Sequence, residues 1–256
     1  MMEGESSLLL LWLTEALSAR KRSKCCPVYD INGRKMVAYS QQGQEAVIIK
    51  NFMPKINQVQ DGTFVELGGY DGITYSNTKG FEDAFGFSGI LIEASDAYVA
   101  MDINRPNTQN FRAAISTEPK VTFFGSDATS GTLKNVLQNR QETDASEYAQ
   151  KQLSGKPSTY KVTGRTMSSI LKDSKIEYID LFFIDVEGSE IDVIKTMNWD
   201  IPVYVICIEM HSQDSRSKEQ EKIRKILKDR GFTYKTKVKS DEIWVNESYF
   251  RKEKFK

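Results

Sequence analysis

The chain has 256 residues, which is enough for one α/β domain with a full core. Acidic and basic residues balance at 35 each, so no net field would attract nucleic acid, and we expect none as a partner. No apolar run approaches the length of a transmembrane helix, and three cysteines, an odd number, give no disulfide framework. These properties predict a cytoplasmic protein without a transmembrane segment.

Residues 1–35 are predicted to be a poorly ordered extension that precedes a domain over residues 36–250. In this extension an apolar stretch, residues 8–13, comes before basic residues at 20–24. A secretory signal would carry its positive charges first, whereas acidic residues come first here. The alternative is an amphipathic helix within residues 8–26 that attaches the protein to a membrane surface.

The first motif of the domain is a strand, a glycine turn and a helix. Helical spacing of apolar residues predicts a helix over residues 43–53, and the apolar run at 63–67 predicts a buried strand. Ser76 and Asn77 follow the turn as caps for a helix over residues 78–85. The turn itself contains Gly68, Gly69 and Gly72. This arrangement is typical of a nucleotide-type pocket at the carboxyl end of a parallel sheet.

The charged residues of the turn limit the class of ligand that it could bind. A dinucleotide fingerprint would need glycine where Leu67 stands, which disfavours a nicotinamide enzyme. Glu66 and Asp71 would repel a pyrophosphate, but they suit a ligand with an ammonium and a sulfonium group, namely S-adenosylmethionine. An ordinary tight turn with no ligand is the alternative at this point.

Further strands continue the pattern. Residues 89–93 are predicted to form the second strand, which ends in Glu93, about 20 residues after Gly72, the spacing expected of a carboxylate that binds ribose hydroxyls. A helix is predicted over residues 95–103, and three more strands are predicted at residues 111–115, 180–185 and 203–209. An acidic turn follows the strand at 180–185, and Ser189 is expected to cap the helix after it.

The remaining elements complete an alternating α/β pattern. A polar insertion at residues 126–158, with a helix toward its middle, interrupts the alternation and is the expected lid over the substrate. A short helix capped by Thr166 follows the insertion. The other predicted elements are a strand at 121–124, helices at 191–197 and 215–230, and a terminal hairpin of strands at 232–238 and 242–245.

Several sequence blocks, in this order, resemble one known family. They are Tyr39-Ser40-Gln41-Gln42-Gly43-Gln44-Glu45, residues 64–72, Tyr75-Ser76-Asn77-Thr78, Leu91-Ile92-Glu93, Asn104-Arg105-Pro106 and Ile184-Asp185-Val186-Glu187-Gly188-Ser189-Glu190. The likeness is to the FkbM family of S-adenosylmethionine-dependent methyltransferases, and it covers about residues 38–245.

The resemblance implies both a fold and an activity. The fold class is α/β: the Rossmann-like, doubly wound sheet of a class I methyltransferase, mostly parallel with a terminal antiparallel hairpin. The activity is O-methylation of a sugar or glycan hydroxyl, with S-adenosylmethionine as cofactor. Methylation of a lipid, a natural product or a protein is the alternative within enzymes. A cofactor-binding interaction module without catalysis is the alternative outside them.

Site residues follow from the strand ends and the resemblance together. The predicted cofactor contacts are Glu66, Gly68, Gly69, Asp71, Gly72, Ser76, Asn77, Glu93, Ala114 and Asp185. For catalysis the candidates are Asp185, His211 and Glu209, because a hydroxyl acceptor needs positioning and partial deprotonation. His211 is the only histidine in the chain.

A divalent metal such as Mg²⁺ is a further option at the same place. Asp185, Glu187, Glu209 and His211 would form an oxygen- and nitrogen-rich site that acidifies the acceptor hydroxyl. The sequence leaves open whether the reaction depends on a metal or uses a side-chain base alone.

Overall fold

The computed structural model describes residues 26–31, 33–52, 62–124, 131–132, 159–210 and 217–249. Five sequence-based expectations fall wholly or partly outside these ranges. They concern the apolar stretch at 8–13, most of the insertion at 126–158 with its helix, His211, residue 53 of the first helix, and residues 215–216 of the helix at 215–230.

The described strands and helices alternate along the chain. The strands are β1 (Val28–Ile31), β2 (Arg34–Val37), β3 (Thr63–Leu67), β4 (Ser88–Glu93), β5 (Gln109–Arg112), β6 (Ala114–Ile115), β7 (Lys120–Phe124), β8 (Gly131–Thr132), β9 (Thr159–Arg165), β10 (Ile179–Ile184), β11 (Val203–Glu209), β12 (Thr233–Val238) and β13 (Asp241–Val245). The α-helices are α1 (Gln44–Phe52), α2 (Lys79–Phe85), α3 (Met101–Asn104), α4 (Met167–Ser174), α5 (Glu190–Thr196) and α6 (Ser217–Asp229). Short 3-10 helices cover Asp96–Ala100 and Glu247–Tyr249.

The main sheet has seven strands in the order β12-β13-β11-β10-β3-β4-β5. Strands β11, β10, β3, β4 and β5 are parallel, and β13 pairs antiparallel with both β11 and β12. The strand order reverses between β3 and β10, which is the point where ligands bind in such sheets. The predicted fold class, including its terminal hairpin, is confirmed.

The central strands are apolar because both faces of the sheet are covered. In β10 every residue is buried, and successive side chains point to opposite faces. Phe182 belongs to the core on one face, whereas Leu181 and Phe183 belong to the core on the other. This double burial explains why residues 181–184 of β10 are a continuous apolar run.

A second sheet of four strands, β6-β9-β7-β8, stands beside the main sheet. Strands β7 and β9 pair antiparallel from Lys120↔Thr163 to Phe124↔Thr159. The strand predicted at residues 111–115 is therefore two strands: β5 ends at Arg112 in the main sheet, and β6 begins at Ala114 in the second. The chain changes sheet at Ala113, whose amide donates to the Glu93 carbonyl.

The structure differs from the sequence-based elements at three further places. Strands β1 and β2 form a hairpin in a segment for which no element was predicted, with Gly33 at φ 84° in the turn. The helix expected after β4 is a 3-10 turn followed by the single-turn α3. Ser189 is the N-cap residue of α5 by position but makes no capping bond with its side chain. Glu190 replaces it, since its Oε1 accepts from the Gly188 amide at 2.9 Å.

Among the helices of the described residues, none is long and apolar enough to cross a membrane.

Candidate functional site

A cavity of about 1150 Å³, counting the space at its mouth, lies at the carboxyl ends of β3, β4, β10 and β11. Its wall combines apolar, amide and carboxylate side chains. The lining residues are Gln41, Gln42, Gln44, Leu67, Gly68, Tyr70, Thr74, Tyr75, Asn77, Ile92, Glu93, Ala94, Ala113, Ala114, Ile115, Phe123, Thr132, Asp185, Val186, Glu187, Ser189 and Glu209. Within that list there are four carboxylates and no lysine or arginine.

The glycine turn is fixed to the end of β4. The amides of Gly68 and Gly69 donate to the Ile92 carbonyl at 3.0 and 3.2 Å. Gly68 has φ 78°, and a Cβ at this position would lie 2.0 Å from the Asp185 carbonyl oxygen. Glycine is therefore required both by the backbone conformation and by the close approach of the chain after β10.

Gly68→Ala is expected to destabilise the protein by about 1–3 kcal/mol, because the strained backbone and the clash with Asp185 act together. Urea unfolding followed by circular dichroism would measure the loss. Gly86→Ala is the matched control, since Gly86 has φ 68° but its Cβ would meet open space. If the two variants unfold at the same urea concentration, the close approach at Gly68 adds nothing to the loss of stability.

Glu66 and Asp71 support the turn and do not line the cavity. The buried Glu66 carboxylate accepts from the Ser76 hydroxyl (2.9 Å), the Asn77 amide (2.7 Å) and the Thr78 hydroxyl (2.5 Å). Asp71 accepts from the Thr74 amide at 2.6 Å and the Thr74 hydroxyl at 2.7 Å. Both carboxylates therefore bond within the loop, and their contact with a cationic ligand stays a prediction.

Arg105 is the cation beneath this loop. Its side chain is fully buried, pairs with Glu82, and donates to the Gly72 carbonyl (3.1 Å), the Ser76 hydroxyl (3.2 Å) and the Thr78 hydroxyl (3.1 Å). Burial raises the pKa of Glu66, and the Arg105 charge acts against that rise. Sequence analysis placed Arg105 within a family block but gave it no role, because its partners are distant along the chain.

Glu93 lies at the end of β4 with both oxygens turned toward backbone amides. Its Oε2 accepts from the Tyr70 amide at 2.8 Å, and its Oε1 accepts from the Ser95 amide at 2.6 Å. Each oxygen keeps a second lone pair, and the residue lines the cavity. A ligand with two neighbouring hydroxyl groups can donate to such a carboxylate.

Three carboxylates meet at the opposite end of the cavity. Asp185, Glu187 and Glu209 each offer an oxygen, and these oxygens lie within 4.8 Å of one another. Glu187 follows β10 in the left-handed region, with φ 48°, which is uncommon for a residue with a side chain. Backbone strain of this kind concentrates at functional sites.

The pKa values of two carboxyl groups in this cluster are raised. The pKa of Asp185 is raised well above its usual value, first by burial among protein atoms and then by the charges of Glu209, Glu187 and Asp241. Burial, with Glu187 and Glu190, also raises the pKa of Glu209. The Asp185 side chain is accessible from the cavity, while protein atoms surround its carboxyl group on the other sides. The Asp185 and Glu209 side chains are hydrogen-bonded, and a hydrogen bond between two carboxyl groups requires a proton on one of them.

The segment that precedes α1 forms the rim of the cavity near these acids. Glu45 is buried and accepts from the amides of Tyr39 and Ser40 at 2.8 Å each, which fixes the path of residues 39–43. Burial raises the pKa of Glu45 to about 7. Gln44 donates to Asp241 at 2.5 Å, which ties the rim to β13. The cavity role of Gln41, Gln42 and Gln44 was not predicted, because it depends on contacts with strands far along the chain.

The structure brings together about half of the predicted site. The cofactor candidates that line the cavity are Gly68, Asn77, Glu93, Ala114 and Asp185. Those that lie behind the wall and shape it are Glu66, Gly69, Asp71, Gly72 and Ser76. Of the catalytic and metal candidates, Asp185, Glu187 and Glu209 are together, while His211 is outside the described ranges. Tyr70, Tyr75 and Phe123 are lining residues that sequence analysis missed.

The sheet order, with its antiparallel β13, and the carboxylate-rich cavity at the switch point define a class I methyltransferase. The family model described as "Methyltransferase FkbM domain" matches residues 66–234, which is more than half of the chain. The chain therefore belongs to the FkbM family of S-adenosylmethionine-dependent methyltransferases, as its sequence blocks predicted. No curated protein matches its sequence.

Solved structures give only a distant likeness. A fibrillarin from Aeropyrum pernix, with natively bound S-adenosyl-L-methionine, is 12% identical with a TM-score of 0.44 over 88% of this chain and 83% of that chain. A fibrillarin pre-rRNA processing protein from Methanococcus jannaschii is 13% identical with a TM-score of 0.41 over 88% and 84%. An S-adenosylmethionine-dependent methyltransferase from Aquifex aeolicus is 9% identical with a TM-score of 0.37 over 81% and 93%. Such low similarity says nothing about the acceptor.

Proposed function

We propose that this methyltransferase transfers the methyl group of S-adenosylmethionine to a hydroxyl oxygen of a sugar or glycan. The observation that carries the proposal is the presence, within one cavity, of Glu93 at one end and the converging carboxylates of Asp185 and Glu209 at the other. The first can hold the ribose of the cofactor, and the second can accept a proton from the acceptor.

The cavity suits a cationic cofactor. Its described wall contains four carboxylates and no basic side chain, which favours a ligand that carries a sulfonium and an ammonium group. Asn77 is nine-tenths buried and lines the cavity, and its Oδ1 has no hydrogen-bond partner within the described part of the chain. A buried acceptor of this kind is costly unless a ligand donates to it. The amino group of S-adenosylmethionine is such a donor.

The apolar side of the cavity suits a flat aromatic ring. Ile92 and Ala94 flank Glu93, Ala113 and Ala114 follow β5, and Phe123 of β7 lines the same cavity. We assign this side to adenine, next to the ribose at Glu93.

When bound, S-adenosylmethionine supplies an electrophilic methyl group on a positively charged sulfur. The protein must place the acceptor oxygen in line with that methyl group and remove the hydroxyl proton. Asp185 and Glu209 serve as the base. Their pKa values are raised, which brings them closer to the pKa of the acceptor hydroxyl that they deprotonate.

Glu93→Ala is expected to weaken binding of S-adenosylhomocysteine by roughly 1.5–3 kcal/mol, the range for hydrogen bonds to a charged group. Isothermal titration calorimetry with S-adenosylhomocysteine is the measurement. Because Glu93 also accepts from two loop amides, Glu93→Gln serves as the matched variant that keeps one side-chain oxygen. Unchanged affinity in the folded Glu93→Ala protein would refute the ribose assignment.

A divalent ion at the acidic end is a second proposal for the same chemistry. The convergence of Asp185, Glu187 and Glu209 favours it, since a spacing below 4.8 Å suits oxygens around one hard cation. When bound, Mg²⁺ would stabilise negative charge on the acceptor oxygen as a Lewis acid. Asp185, Glu187, Glu209 and His211 remain the proposed ligands.

Treatment with EDTA distinguishes the metal-dependent mechanism from the mechanism that uses a side-chain base alone. If the ion takes part, methyl transfer should stop with EDTA and return with Mg²⁺ or Mn²⁺, while S-adenosylhomocysteine still binds. Turnover that is indifferent to EDTA would eliminate the ion and leave the carboxylates as the base.

A further inference from the structure

We infer that Tyr75 and Gln42 form the acceptor-binding rim of the cavity, and that this rim selects an uncharged, polyhydroxylated ring and rejects acidic or phosphorylated ones. The inference rests on the proposed function and assigns the acceptor specificity of the same site.

Tyr75 is an aromatic platform at the mouth of the cavity. It lines the cavity and is nonetheless 46% exposed, which is unusual for a large aromatic residue. Its φ of 62° lies in the left-handed region, and its backbone bridges Ser40. A bulky residue is held there at a cost in backbone strain, which points to a role at the site. The exposed face of a tyrosine ring can stack on the apolar face of a sugar ring.

Gln42 supplies a hydrogen-bond acceptor beside this platform. It lines the cavity from the rim segment that Glu45 fixes, and its Oε1 is buried without a hydrogen-bond partner in the ranges that the structure describes. The Gln42 amide donates to the Gln44 side chain at 3.2 Å, and Gln44 in turn binds Asp241. The backbone at Gln42 is therefore tied, through Gln44, to Asp241 of β13. A hydroxyl group of the acceptor is a suitable donor to its oxygen.

The negative charge of the cavity wall favours neutral acceptors over anionic ones. Asp185, Glu187 and Glu209 lie near the rim, and none of the described lining residues is lysine or arginine. Without a metal ion at the acidic end, an acceptor that carries a phosphate or carboxylate group would meet like charges at short range, and no described lining residue supplies a cation to offset them. A neutral ring with several hydroxyl groups can donate to the carboxylate and amide oxygens of this wall.

The experiment uses the full chain saturated with S-adenosylhomocysteine. Neutral methyl hexopyranosides and the matching methyl hexopyranosiduronates are compared by saturation-transfer-difference NMR. We expect contact signals from the ring protons of at least one neutral glycoside, and signals at least about fivefold weaker from its uronate. Tyr75→Ala should lower the affinity for the neutral glycoside about fivefold or more, and Gln42→Ala roughly three- to tenfold.

Tyr234→Ala is the matched control, because Tyr234 is equally exposed at 46% but lies on β12 outside the cavity. The affinity for S-adenosylhomocysteine should stay unchanged in Tyr234→Ala. The inference is overturned if no neutral glycoside gives a signal, if uronates bind equally well, or if Tyr75→Ala behaves like Tyr234→Ala. Failure of the wild-type protein to bind S-adenosylhomocysteine would instead contradict the proposed function itself.

Discussion

Asp185→Asn is expected to lower methyl transfer by about 10²–10⁴-fold while binding of S-adenosylhomocysteine changes little, since general-base catalysis is worth that much. Asparagine keeps the shape of the side chain but cannot accept the hydroxyl proton. The measurement is transfer of a labelled methyl group to glycosides, at saturating cofactor. Asp200→Asn is the control, because Asp200 is an exposed carboxylate outside the cavity and should keep wild-type turnover.

The pH dependence of turnover tests the same residues. Burial and neighbouring carboxylates raise the pKa of Asp185 and Glu209, so at low pH both carry protons and neither can act as a base. Turnover should therefore rise with pH as the pair loses its proton. This rise should occur at pH values above the usual pKa range of carboxyl groups. In Asp185→Asn this dependence should shift or disappear.

His211→Ala separates the alternatives for the base. His211 stays a predicted catalytic residue, and a loss of turnover comparable to that of Asp185→Asn would support it. Near-normal turnover of His211→Ala at neutral pH would assign the role to the carboxylates alone. Wild-type turnover in Asp185→Asn would contradict the mechanism.

Arg105→Met is expected to destabilise the protein by about 3–5 kcal/mol, because it leaves buried carboxylates without their cation. Glu82 would lose its salt bridge, and Glu66 would lose the charge that counteracts the rise of its pKa. The loop carbonyl of Gly72 and two hydroxyls would lose a donor as well. Urea unfolding at pH 7 measures the change.

Arg112→Met is the control for Arg105. Arg112 also pairs with an aspartate and lies over a tyrosine ring, but its side chain is 38% exposed, so its removal should cost at most about 1 kcal/mol. The double variant Arg105→Met/Glu66→Gln should recover part of the lost stability, since it removes one uncompensated charge. Equal stability of Arg105→Met and Arg112→Met would mean that the buried network is not what holds the loop.

The main sheet could be predicted because periodicity and turn residues act locally. Val203–Glu209 forms β11 with the predicted bounds, and Thr166 caps α4 through a bond to the Ser169 amide at 3.2 Å. In both cases neighbouring residues determine the element. The β1–β2 hairpin escaped prediction because its strands are four residues long and half exposed, so they carry no clear apolar pattern.

The site could be predicted only where a strand end determines the direction of a side chain. Glu93 and Asp185 follow buried strands at the switch point, and both line the cavity. Asp71 lies in an irregular turn. The direction of its side chain is set by hydrogen bonds from Thr74, which strand periodicity does not predict. Arg105 and Gln44 owe their positions to partners tens of residues away, which no local pattern reveals.

The most direct test of the S-adenosylmethionine assignment is a calorimetric titration of the wild-type protein with S-adenosylhomocysteine and, separately, with NAD. The carboxylate-lined cavity predicts one-to-one binding of S-adenosylhomocysteine, which Glu93→Ala weakens, and no measurable binding of NAD, whose pyrophosphate the four carboxylates would repel. Binding of NAD in preference to S-adenosylhomocysteine, or of neither, would contradict the assignment of this cavity.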